Sequence, residues 1–125
     1  MVVAFTGWSD AGEASTGALT HLMATLTQKS ELIAEINSEE FYDFQVNRPQ
    51  IYIDDALIRN ITWPGVQIFS VQNPHGDRDF IVVRGVEPSM RWRTFVGEIL
   101  DFADDCEVDQ EPYECMLRAA MIYQR

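Results

Sequence analysis

Residues 1–16 read MVVAFTGWSDAGEAST. Val2, Val3, Ala4 and Phe5 form an apolar run that ends at Gly7, the pattern of a buried strand closed by a tight turn. Beyond the turn, Ala11, Ala14, Ala18, Leu19, Leu22 and Leu26 recur at i, i+3, i+4 spacing. That spacing predicts a helix over 11–28 whose small residues allow close approach to a sheet. Strand, Gly-bracketed loop and helix make up the repeating unit of an α/β fold. The loop holds Trp8, Ser9, Asp10 and Glu13. Asp10 at the N-cap and Glu13 three residues on read as a capping box, which explains both acids without a ligand.

The rest of the chain extends this pattern. Residues 32–36 and 66–73 are strand candidates, and 80–85 is a continuous apolar strand. Residues 51–63 read as a hairpin with Asp54 and Asp55 at its turn. A helix is predicted from a Ser89 cap, with Trp92, Phe95, Val96, Ile99, Ala103 and Cys106 on one face. Strands 2–6 and 80–85 each lead into a helix, so parallel strands are expected at the sheet centre, covered by helices on both faces. The expected fold is a three-layer α/β/α sandwich with a mostly parallel central sheet and one antiparallel hairpin. The expected division is an α/β domain over 1–108 and a helical tail over 109–125.

Composition bounds function. The chain has 125 residues, 46% of them hydrophobic, enough for one domain with a core of its own. Nine basic residues face twenty acidic ones, for a net charge of −11. Phosphate neutralisation needs the reverse balance, so nucleic acid and anionic membrane surfaces are disfavoured as partners. No apolar run of about 18 residues suggests a membrane span. No basic segment precedes the first apolar run, as it would in a signal peptide. Cys106 and Cys115 have neither metal spacing nor the number a disulfide scaffold needs. Reduced thiols and a cytoplasmic protein are expected.

Two strand-to-helix loops, 7–13 and 84–89, are the candidate sites, because ligands bind beyond the carboxyl ends of strands in open α/β sheets. If their strands are neighbours, Trp8, Ser9, Asp10, Arg84 and Glu87 share one cleft. Tyr42, Asp43 and Arg48 would add an aromatic wall and further charge, suiting a nucleoside-sized or peptide-sized ligand. Arg91 and Arg93 oppose the dipole of the helix they begin. They therefore require acids, either Glu87, Asp43 or a neighbouring subunit's carboxylate, in an ion-pair network or a ligand site. Ser9 lacks a nucleophile-elbow setting, and His21 and His75 are the only candidate imidazole bases. The glycine spacing fits neither a P-loop nor a dinucleotide fingerprint, so no cofactor is expected. No cluster of ligands suggests a metal.

Three segments taken together carry a family resemblance: GWSDAGEAS at 7–15, FYDFQVNRP at 41–49 and DRDFIVVRGVEPSMRWRTF at 77–95. In this order they resemble the bacterial branch of the proteasome assembly chaperone 2 family, over roughly residues 1–108. The resemblance implies a phosphorylase/hydrolase-like α/β/α fold. It also implies self-association, as a dimer or trimer, and a proteasome-related protein partner. Members of the family are longer than this chain. Their activators and chaperones dock through a hydrophobic–Tyr–any-residue ending, whereas Ile122-Tyr123-Gln124 is followed here by Arg125. The reading that follows is a non-catalytic, oligomeric protein-binding protein. The alternative is an enzyme or small-ligand-binding protein with a nucleoside-phosphorylase-like cleft.

Overall fold

The computed structural model describes residues 1–107 apart from 9, 27, 28 and 57. The proposed tail over 109–125, Cys115 and the Ile122-Tyr123-Gln124 ending lie outside the described residues. Among the described residues six strands are present: β1 (Val2–Thr6), β2 (Ser30–Ile36), β3 (Gln50–Ile53), β4 (Arg59–Thr62), β5 (Val66–Val71) and β6 (Phe80–Val86). The helices are α1 (Ala14–Leu26), the single turn α2 (Ser38–Phe41) and α3 (Trp92–Asp105).

Four strands form one sheet in the order β1-β6-β5-β2. β1 and β6 are parallel, with Val2 opposite Val82 and Thr6 opposite Val86. The β6–β5 and β5–β2 pairings are antiparallel. The expected mostly parallel sheet is thus corrected to a mixed one, with its single parallel pair at one edge. For β5 and β6 the chain length between the strands is the reason. Residues 72–79 join β5 to β6, and a parallel crossover needs a dozen or more residues. Asp79 accepts the Asn73 N–H and Asn73 accepts the His75 N–H, closing this turn.

β3 and β4 pair as the expected hairpin but form a separate two-stranded sheet. Asp54 closes it, its carboxylate accepting the Ala56 and Ile58 N–H groups.

Successive strand residues point to opposite faces. Val83 joins Ile68, Phe95, Val96 and Ile99 in one core, beneath α3. Val82 joins Ala4, Val71, Leu19 and Met23 in the other, beneath α1. The α3 core is aromatic, with the Phe95 ring 5.6 Å from Phe5 and 5.4 Å from Phe41. Phe95 and Ile99 are fully buried, and burying such a side chain contributes about 1.5–3 kcal/mol. Gly85 permits the close crossing at the end of β6, since a Cβ there would lie 2.2 Å from the Gly65 carbonyl oxygen.

Both helix starts differ from expectation. Residues 11–13 form a 3₁₀ turn in which Gly12 and Glu13 have positive φ, 65° and 57°. Leu19 and Met23 are buried while Ala11, Ala14 and Ala18 are exposed, so the packed stripe of α1 runs through the larger residues and not the alanines. Glu13 is exposed and does not complete a capping box. At α3 the N-cap residue is Arg91, in the left-handed region (φ 55°), and not Ser89. Ser89 is held in the loop instead, its N–H donating to the Phe41 carbonyl. Trp92 is half-buried, and Cys106, at the C-cap, is exposed rather than on the packed face.

Candidate functional site at the carboxyl end of the parallel strands

The loops after β1 and β6 meet, as their parallel pairing requires. Glu87 Oε2 accepts the Trp8 N–H at 3.1 Å. Gly7 makes room for this carboxylate, because a Cβ there would sit 2.6 Å from the same oxygen. On the helix side, Asp10 fixes the loop. Its Oδ1 accepts the Ser15 N–H and hydroxyl, and its Oδ2 accepts the Thr16 hydroxyl. Asp10 therefore caps α1 from beyond the 3₁₀ turn. These hydroxyls, Ser15 first, hold its carboxyl below the ordinary range by favouring the charged form. The loop is tied at both ends, and the Trp8 side chain between them is 87% exposed.

Residues 38–47 buttress the same region. Tyr42 is buried and its hydroxyl donates to the Val86 carbonyl at 2.6 Å. Burial pushes its phenol well above the usual range, so it serves as a neutral donor. Asp43 starts the next turn, where Oδ1 accepts the Gln45 N–H and its carbonyl accepts those of Val46 and Asn47. Asn47 Nδ2 donates to the Ser89 hydroxyl at 2.8 Å. The Phe41 carbonyl accepts both the Ser89 and Met90 N–H groups. Val46 and Met90 are exposed on these tethered segments.

Arg91 pairs with Glu40 at 3.0 Å, not with Glu87 or Asp43, and its guanidinium lies 5.7 Å from the Phe41 ring centroid. Both partners are about half exposed, so the pair contributes at most about 1 kcal/mol. Arg93, in the first turn of α3, and Arg48 are exposed.

The structure thus gathers Trp8, Tyr42, Asp43 and Glu87 around the loop after β6, with Arg91 beside them. It does not bring Arg84 into that group. Arg84 follows Val83 and projects to the opposite face from the core that holds Tyr42. There its guanidinium covers the Phe69 ring at 4.7 Å. The single cleft expected from the sequence is therefore divided, with Arg84 on the α1 face and Tyr42 on the α3 face. Asn47, Met90 and Glu40 were not singled out by the sequence, and Ser89 was read there only as a helix cap. The partner of Asn47 across the fold was not legible in the sequence. Among the described residues, no three His, Cys, Asp or Glu converge as a metal site. No described helix is long and apolar enough to cross a membrane.

The three segments that carry the family resemblance are the ones that meet here, through Trp8–Glu87, Tyr42–Val86 and Asn47–Ser89. The model of the PAC2 family matches residues 4–110. The chain belongs to the PAC2 family. A PAC2 family protein from Streptomyces avermitilis has a solved structure that is 46% identical, with a TM-score of 0.77 over 86% of this chain and 45% of that one. A Mycobacterium tuberculosis proteasome-assembly chaperone homologue is 45% identical, with a TM-score of 0.77 over 86% of this chain and 44% of that one. A protein of unknown function from Corynebacterium glutamicum is 28% identical, with a TM-score of 0.70 over 85% of this chain and 38% of that one. The PAC2 chain described here therefore spans less than half the length of these solved relatives. No curated protein matches it.

Proposed function

We propose that this PAC2 chain is a non-catalytic protein-binding module of the assembly-chaperone type, with a proteasome-related partner. In this reading it works in the cytoplasm as a homo-oligomer, a dimer or trimer, and residues 1–108 are its α/β domain. The fold it contributes to is a three-layer, phosphorylase-like sandwich. The observation that carries the reading is Trp8, 87% exposed on a loop tied by Glu87 at one end and Asp10 at the other. Large aromatics dominate binding energy at protein interfaces. Fixing the backbone beforehand lowers the ordering cost of association. The solved proteasome-assembly chaperone homologue supports the choice of partner class.

In this account Glu87 and Asp10 position the loop, while Trp8, Val46 and Met90 are the contact residues. The enzyme alternative has less support, because Arg84 lies away from Trp8, Tyr42 and Glu87, and the Asp10 carboxylate is occupied by its cap. Titration of proteasome α subunits with the 125-residue chain, followed by interferometry, tests the proposal. Saturable binding is expected, and no binding at tens of micromolar concentrations would overturn it.

A further inference from the structure

The face of the sheet that carries Arg84 has its own cleft, of about 640 Å³. Cavities of this size hold small molecules, which typically occupy about 300–1,000 Å³. Its floor is a row across three strands, since Glu35 on β2 is in register with Gln67 on β5, and Gln67 with Arg84 on β6. Paired residues point to the same face, so acid, amide and guanidinium lie side by side. With strands about 4.7–4.9 Å apart, the backbones that carry the acid and the guanidinium are about 10 Å apart.

The two charges are held in place without neutralising each other. Gln67 Nε2 donates to Glu35 Oε1 at 3.0 Å, and Arg84 rests on the Phe69 ring. Leu19 and Met23 of α1 form one apolar wall, while Ile61 and Trp63 line the cleft from the β4 end. Four threonines also line it, and three of them, Thr6, Thr16 and Thr20, have their hydroxyl hydrogens committed elsewhere. Thr6 donates to the Gly85 carbonyl, Thr16 to Asp10 and Thr20 to the Thr16 carbonyl. What remains on them is acceptor capacity, which suits a ligand rich in N–H groups. A phosphate would find one cation and several acceptors, a poor match.

We propose that this cleft binds a short zwitterionic peptide, its amino terminus at Glu35, its carboxylate at Arg84 and an apolar side chain against Trp63. An extended residue spans about 3.3–3.6 Å, so about three residues bridge the row. This site is separate from the Trp8 loop and does not depend on the proposed protein-binding role.

Calorimetry on the full 125-residue chain with the tripeptide Ala-Leu-Ala tests it. The free tripeptide binds, and N-acetylation or C-amidation each weakens binding about fivefold, the scale of one partly exposed ion pair. In Arg84→Gln the free and amidated peptides bind equally, and in Glu35→Gln the free and acetylated peptides do. Trp8→Ala leaves all these values unchanged. No heat from the free tripeptide at millimolar concentration would overturn the proposal. So would equal binding of the capped and free peptides to the unaltered chain, a comparison that needs no variant to fold.

Discussion

The loops at the carboxyl end of β1 and β6 and the β3–β4 hairpin both expose large apolar side chains, but they are supported differently. The loops carry Trp8, Val46 and Met90 on backbone tied to the sheet and its core through Glu87, Asn47, Ser89 and Phe41. The hairpin carries Ile51, Tyr52 and Ile53 on β3, Ile61 on β4 and Ile58 in the connection between them, and its two strands pair with each other as a separate sheet. An isolated two-stranded sheet is marginal in water. Exposure alone therefore does not mark a recognition point. A fixed backbone under an exposed aromatic does, because less ordering cost remains at binding.

Removing the support beneath the loops should have the largest effect. The Phe41 side chain is fully buried against Phe95, and its carbonyl holds Ser89 and Met90. Phe41→Ala should destabilise the fold by about 3–5 kcal/mol in urea denaturation. Glu87→Gln should cost about 0.5–1.5 kcal/mol, the scale of one weakened hydrogen bond, and should speed amide exchange at Trp8. Ile51→Ser, on the hairpin, should change stability by less than about 0.5 kcal/mol. A loss there comparable to that of Phe41→Ala would remove the distinction between the two regions.

Asp10 provides a pH test of the loop's other tether. Its carboxyl is held below the ordinary value of 3.8, so the folded state prefers the charged form. The resulting stability is present in full above that ordinary value and is lost as pH falls through the lowered folded value. The difference in Tm between the unaltered chain and Asp10→Asn should therefore be constant near neutral pH and shrink in acid below 3.8. A difference that grew in acid would contradict the cap.

The apolar runs at 2–6, 66–73 and 80–85 marked the strands, since a continuous or alternating run bounded by turn residues has few other readings. The Asp54–Asp55 turn marked the hairpin for the same reason. Helix starts were harder, because Glu13 and Arg91 adopt positive φ that their residue types do not announce. Neither the kink at residues 11–13 nor the displaced cap at Ser89 could be inferred from side-chain pattern alone. The antiparallel β5–β6 pairing was open to inference from the short 72–79 connection. At the site, Trp8 and Glu87 were legible as neighbours because their strands are parallel. The row Glu35–Gln67–Arg84 was not, because it depends on register across three strands, and the bulge between Leu32 and Ala34 shifts that register.

The central claim is that Trp8 on its tied loop is the contact point for a protein partner. The most direct measurement is the affinity of Trp8→Ala for proteasome α subunits beside that of the unaltered chain, with urea denaturation of both. The account predicts unchanged stability and a Kd weakened about 30-fold, the scale of an interface hot spot of about 2 kcal/mol. An unchanged Kd in a stably folded Trp8→Ala chain would contradict it.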